Sequence, residues 1–205
     1  MQNNPNASGD WTLDNIPFDA IEREKVVARE DLFYLVTAAS FIEIAADLYT
    51  DNLAEYFEDD FEILTWLRSQ WSVEEVRHGF ALRAYVRHVW PEFDWDAANS
   101  AFIADYSRRC NLGQLEATRS LEMLARCVVE TGTTTFYQAL AMQTDEPVLA
   151  GIASRMRSDE VNHYKHFYRY FQKYDGIAPV GRLKVVGAFT RRLFEARNDD
   201  AECAL

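Results

Sequence analysis

The chain has 205 residues, a formal net charge of −12 and a hydrophobic share of 48%. That is enough for one domain with a full apolar core, and the acidic balance argues against a general nucleic-acid binder. The scattered Cys110, Cys127 and Cys203 argue against a zinc ribbon, a rubredoxin-type site or a thioredoxin motif, and fit reduced thiols.

Residues 1–15 have neither a basic start nor an apolar stretch, so they read as a flexible leader rather than a secretory signal. No apolar run approaches the length of a membrane span, and a cytoplasmic location is the default expectation. Residues 16–30 read as a short lead-in helix. A long helix is expected from Asp31 to Phe57, with Leu32, Val36, Ala39, Glu43, Ala46 and Thr50 on one stripe. Asp59 and Asp60 suit the start of a second helix, which should run to Val89 and stop at Pro91. Its shared face carries Leu64, Leu67, Trp71, Glu75, His78, Leu82 and Tyr85. A short helix is expected near 96–109, and a third long one over 115–143 aligns Met123, Cys127, Glu130, Thr134 and Tyr137. After the break at Thr144-Asp-Glu-Pro147, a fourth runs to Tyr174 and aligns Leu149, Ile152, Met156, Glu160, His163 and Phe167. A last amphipathic helix covers 181–197, leaving 199–205 as a tail after a single domain over 16–198. Between Arg155 and Arg197 there are ten bases and four acids, a local basic face that could dock an acidic partner or simply be solvated.

Each of the four long helices carries a Glu near mid-length on its apolar side. Buried carboxylates are costly unless paired or metal-bound, so the four need a common explanation. Glu75-Val-Arg-His78 and Glu160-Val-Asn-His163 are both Glu-x-x-His, a spacing that puts both side chains on one helix face. Glu43 precedes Glu75 by 32 residues and Glu130 precedes Glu160 by 30, each the span of one helix and a turn. The 52 residues from His78 to Glu130 suit a crossover along the bundle rather than a hairpin. The expected fold is therefore all-α: a four-helix bundle with a long crossover between helices two and three, plus short N- and C-terminal helices.

This order of residues resembles the ferritin-like di-iron carboxylate superfamily, in which two helices give one Glu each and two give Glu-x-x-His. Trp71-Ser-Val-Glu-Glu-Val-Arg-His-Gly79 resembles the Trp-Thr-Ala-Glu-Glu-Asn-Arg-His-Gly motif of soluble acyl-carrier-protein desaturases. Asp159-Glu-Val-Asn-His163 resembles their Asp-Glu-Lys-Arg-His, and Glu130-Thr-Gly-Thr133 their Glu-Arg-Ala-Thr. Those desaturases are longer, and their Lys-Arg is Val161-Asn162 here. The compact size and ligand spacings are similar to aldehyde-deformylating oxygenases.

The resemblance implies two iron ions, with manganese or a mixed pair as alternatives, held by Glu43, Glu75, His78, Glu130, Glu160 and His163. It implies Glu75 and Glu130 as bridges, Glu43 and Glu160 as terminal or shifting ligands, and Thr133 beside the oxygen site. Asp47 and Asp159 are candidates for orienting the ligand histidines, with a solvent-facing Asp47 as an equal alternative, and Trp71 is a candidate for packing or an electron path. His88 and His166 fall outside the pattern, while Tyr164 and Phe167 read as core. Val36, Ala39, Met123, Met156 and Phe167 are candidates for an apolar cavity. The implied activity is an oxygen-using oxidoreductase acting on a fatty-acyl-like substrate, small or carrier-bound, by desaturation, hydroxylation or a related oxidation. An external electron donor such as a ferredoxin and a homodimer follow from the same resemblance. The alternatives are a ferroxidase or peroxidase and a non-catalytic metal-binding bundle.

Overall fold

The computed structural model describes residues 11–108, 110 and 112–195. Leader residues 1–10, the tail expected at 199–205 and Cys203 lie outside the described residues. Among the described residues every regular element is helical, consistent with an all-α ferritin-like bundle.

The N-terminal stretch differs from expectation. Trp11, expected in a flexible leader, is buried in the core. Residues 16–30 form no lead-in helix but short 3-10 turns at Leu13–Asn15, Phe18–Ala20 and Arg23–Lys25. The turns are pinned from outside: Arg23 Nε donates to the Val89 carbonyl at 2.6 Å, and Trp90 Nε1 donates to the Val27 carbonyl at 3.1 Å.

The first long helix is two pieces, α1 (Glu30–Ile44) and α2 (Ala46–Tyr56). They meet at Ala45, where ψ is 3°. Its N–H is shared between the Phe41 and Ile42 carbonyls at 3.2 Å each. By length and composition alone, Glu30–Tyr56 is long and apolar enough to cross a membrane, contrary to the expectation that no run approaches that length. In the fold it is a bundle helix, bent at Ala45 and packed along α4 (Ser72–Val89), with Glu43 on its buried face.

The second helix is also irregular. α3 (Phe61–Trp66) passes through one π-helical turn, Leu67–Trp71, directly into α4. Single π turns of this kind often sit beside functional sites. The inserted turn shifts the buried face, so Ile63, Trp66, Leu67 and Trp71 are buried while Leu64 is only half-buried. Trp90 adopts a non-helical φ, ψ of −122°, 64° ahead of Pro91, which bars the helix from continuing.

α5 (Trp95–Tyr106) lies in the crossover and is capped by Asp94, whose Oδ1 accepts from the Ala97 N–H. It packs on α1: Trp95 Nε1 donates to Ser40 Oγ at 2.8 Å, and Phe41 meets Trp95 and Phe102. α6 (Arg119–Gln143) starts four residues later than expected because Thr118 caps it. α7 (Pro147–Ile177) starts on a buried Glu146 that accepts from the Val148 and Leu149 N–H groups, with Pro147 in the first turn. α6 and α7 pack along each other, and α8 (Arg182–Glu195) docks on α6 after Gly181, whose φ is +73°.

Two apolar clusters fill the interior. One gathers Val36, Phe41, Leu82, Tyr85, Trp95, Ile152 and Met156; the other gathers Leu53, Phe57, Trp66, Trp71, Met123, Phe167 and Tyr170. On every long helix the mid-length Glu falls where one cluster gives way to the other. The expected cavity residues are therefore split: Val36 and Met156 lie in the first cluster, Met123 and Phe167 in the second.

Candidate metal centre

Between the clusters, α1 supplies Glu43, α4 supplies Glu75 and His78, α6 supplies Glu130, and α7 supplies Glu160 and His163. All six are buried. They form two groups, each with ligand atoms within 4.8 Å of one another: Glu43, Glu75, His78 and Glu160, and then Glu75, Glu130, Glu160 and His163. Glu75 and Glu160 belong to both groups, whereas Glu43 and Glu130 belong to one each. This arrangement corrects the expected division of roles, because Glu160 rather than Glu130 is the second shared carboxylate. The reason is helical geometry: each Glu of a Glu-x-x-His pair lies one turn from its own His and faces the other His across the bundle.

The distances bear this out. His163 Nδ1 lies 2.9 Å from Glu75 Oε1, 3.5 Å from Glu130 Oε2 and 3.5 Å from Glu160 Oε2. His78 Nδ1 lies 3.2 Å from Glu160 Oε1, 3.6 Å from Glu43 Oε2 and 3.9 Å from Glu75 Oε2. Despite that proximity, Glu75 Oε1, His78 Nδ1, Glu160 Oε1 and His163 Nδ1 are buried with no hydrogen bond of acceptable geometry. Buried, unsatisfied polar atoms are expensive. Here the orphans are lone-pair donors converging on two points, which fits metal ions. Four carboxylates and two neutral imidazoles would also balance the charge of two divalent cations.

The outer nitrogens of both histidines are held. His78 Nε2 lies 3.1 Å from Asp159 Oδ2, and His163 Nε2 lies 2.8 Å from Glu74 Oε2. Such a carboxylate fixes ring orientation and leaves the opposite nitrogen free for a metal. The two contacts are reciprocal: the acid preceding Glu160 on α7 holds the α4 histidine, and the acid preceding Glu75 on α4 holds the α7 histidine. Glu74 was missed in the sequence, although the shared acid-Glu-x-x-His pattern was the available signal. Asp159 sits where expected. Asp47 takes the solvent-facing alternative: it is exposed and accepts from Ser72 Oγ at 2.9 Å.

Asp159 Oδ2, the oxygen that meets His78, also accepts from Trp11 Nε1 at 2.8 Å and Arg77 at 2.9 Å. The Trp11 ring stacks on His78, with centroids 5.9 Å apart and planes 1° apart, and the Arg77 guanidinium covers Trp11 at 4.5 Å. Trp71, a candidate for packing or an electron path, packs edge-on against Phe167 at 5.6 Å. Trp11 is invisible to motif reading because its contact with Asp159 spans 148 residues.

Two hydroxyls reach the carboxylates. Thr133 Oγ1 donates to Glu160 Oε2 at 3.0 Å and also lies near its own backbone carbonyls of Val129 and Glu130. Tyr137, fully buried, donates to Glu43 Oε1. The remaining candidates fall away from the centre. His88 is exposed, with Nδ1 2.7 Å from the Ala84 carbonyl; His166 stacks on Trp66 at 4.9 Å; Phe167 is buried, but Tyr164 is exposed.

The electrostatics are those of closely packed, buried carboxylates facing two imidazoles. Burial, reinforced by Glu160 and Glu43, pushes Glu75 well above the usual carboxylate range. Burial and Glu160 raise Glu130 to about 8. Burial also acts on Glu160, but His163 and His78 outweigh it and hold Glu160 well below its ordinary value. For His78, burial opposes the charge, yet the surrounding Asp159, Glu160 and Glu43 raise its pKa well above that of a free imidazole. Burial raises Asp159 too, but His78, Trp11 and Arg77 bring it down to about 2. Burial and the Glu43 charge push the Tyr137 phenol well up, so it stays a donor at neutral pH. Protons and histidine charge thus occupy the role that cations would take.

Comparison with known proteins agrees in kind. The chain is 33% identical over 105 residues to the protein named "Putative acyl-[acyl-carrier-protein] desaturase DesA2" from Mycobacterium tuberculosis, in both the CDC 1551 / Oshkosh and the ATCC 25618 / H37Rv strains. The match takes in 50% of this chain and spans 36% of the relatives' length. No protein-family model matches the chain. No solved structure matches it. The similarity is thus to a protein named as a desaturase, and the buried Glu/His groups of this chain could hold metal ions.

Proposed function

We propose that the chain binds two iron ions and is an oxygen-dependent oxidoreductase acting on an apolar, fatty-acyl-like chain. The observation that carries this is the pair of buried Glu/His groups with orphaned ligand atoms and reciprocally braced histidines. The similarity to a desaturase points to the same chemistry.

Glu43 and His78 would hold one ion, Glu130 and His163 the other, and Glu75 and Glu160 would be shared. Imidazole and carboxylate donors suit iron, and manganese or a mixed pair would fit the same set. When bound, two ferrous ions supply the electrons that activate dioxygen for attack on an inert C–H bond. The protein's part is to hold that chemistry in a dry interior between two apolar clusters. Asp159 and Glu74 keep both imidazoles facing inward, and Thr133 places a hydroxyl on the shared Glu160. Electrons would come from an external donor such as a ferredoxin. The substrate would be free or carried on an acyl carrier, and the protein would act as a homodimer.

The test is anaerobic reconstitution with ferrous iron followed by oxygen. Two irons per chain, near-ultraviolet absorption after oxygen, and oxygen consumption dependent on an acyl substrate are expected. Absence of stoichiometric iron would rule out the proposal. Accumulation of many iron atoms per chain would point to a ferroxidase, and binding without turnover to a non-catalytic bundle.

A further inference from the structure

The two candidate metal positions are related by an approximate symmetry that Tyr137 breaks at the single glutamates. α1 and α6 each contribute a single Glu, Glu43 and Glu130, and α4 and α7 each contribute an acid-Glu-x-x-His segment. The braces on the histidines follow the same exchange, with Asp159 on His78 and Glu74 on His163.

The single glutamates do not follow it. Tyr137, seven residues after Glu130 on α6, crosses the bundle and donates its hydroxyl to Glu43. Its ring meets His78 edge-on, with centroids 6.5 Å apart, so it lies against both residues peculiar to that position. The corresponding residue on the other side is Thr50, seven after Glu43. Thr50 is also buried, but its hydroxyl is shorter and donates to its own helix at the Ala46 carbonyl, 2.9 Å away. Among the described residues no side-chain hydroxyl donates to the Glu130 carboxylate.

A carboxylate fixed by a buried phenol has fewer orientations to lose when it binds a cation. The His78 side is further stiffened by Trp11 and Arg77, which hold Asp159. We infer that Tyr137 is a positioning residue that makes the two metal positions unequal: the Glu43/His78 position fills first and holds its ion tightly, while the Glu130/His163 position is weaker and exchanges more readily. This rests on the two-metal reading above and adds an order of loading to it.

Cobalt(II) is the probe, because it takes the same imidazole and carboxylate donors and its visible absorption reports the geometry of each bound ion. Calorimetric and optical titration of the full chain should show two steps, the first at least ~10-fold tighter than the second. Tyr137→Phe removes only the hydroxyl. It should weaken the first step by roughly 10- to 100-fold, as outer-shell changes do, shift the visible bands of the first-bound ion, and leave the second step in place. Glu130→Gln should do the reverse, losing the second step and keeping the first.

Two equal steps in the unaltered protein, or a first step unmoved by Tyr137→Phe, would overturn the inference. Should Tyr137→Phe not fold, judged by circular dichroism, Glu130→Gln decides: loss of the first step instead of the second overturns it. If the unaltered protein binds no Co2+ at all, the two-metal reading fails and this inference with it. Two equal affinities would remove this inference alone.

Discussion

The two helix pairs that enclose the Glu/His layer reach one arrangement by different routes. α6 and α7 run unbroken past Glu130 and Glu160, joined by a short loop. α1 bends at Ala45, two residues after Glu43, and α4 is entered through a π turn that ends four residues before Glu75. Between these irregularities the backbones nearly touch: a Cβ on Gly79 would lie 2.6 Å from the Ile44 nitrogen. Gly79 follows His78 and Ile44 follows Glu43, so the close approach is what brings those two side chains together. In α6 the glycine beside the site, Gly132, faces open space with nothing within 4 Å of its would-be Cβ. One pair is fixed by backbone contact, the other by regular side-chain packing.

Substitution can sharpen or break that contrast. The largest effect is expected at the shared carboxylates. Glu160→Ala should abolish stoichiometric binding at both positions, whereas Glu43→Ala should leave one ion per chain, measured by metal analysis after gel filtration. Equal losses would refute the division into shared and single ligands. Next come the histidine braces. Asp159→Asn and Glu74→Gln should each lower metal affinity by roughly 10- to 100-fold, read by competition with a chelator. The smallest effects, and the most direct test of the contrast, come from one substitution made in each pair. Gly79→Ala should destabilise the fold by about 1–3 kcal/mol, because the extra methyl meets backbone that must move. Gly132→Ala should stabilise it by up to about 1 kcal/mol, the difference in helix propensity at an exposed position. Urea unfolding of the two variants should therefore move in opposite directions.

The six central residues could be found from the sequence because their spacing is governed by helix geometry. A step of three fixes a shared face, and a gap of one helix and a turn fixes a shared level. The helix ends after α4 and before α7 were legible for similar local reasons, through Pro91 and Pro147. What escaped was set by contacts between distant parts of the chain. The bend at Ala45 leaves the apolar stripe intact on both sides, since Glu43, Ala46 and Thr50 are buried as a straight helix would also require. The π turn adds one residue to a turn, a shift within the tolerance of any periodicity argument. Residues 16–30 look helical by composition but are held as 3-10 turns by bonds to α4 and its following loop. The shared role of Glu160 and the brace from Glu74 needed the relative placement of α4 and α7. Trp11 and Tyr137 matter only through partners far away in the chain.

Trp11 has a practical consequence. Its indole lies parallel to the His78 ring and is hydrogen-bonded to the carboxylate that braces that ring. A coloured or paramagnetic ion bound at His78 would drain the excited state of this indole more than that of tryptophans farther away. The segment ahead of α1 therefore carries a built-in optical gauge: with Trp66, whose ring meets His163 at 6.5 Å, replaced by Phe, intrinsic fluorescence can follow occupancy of the Glu43/His78 position without any added label.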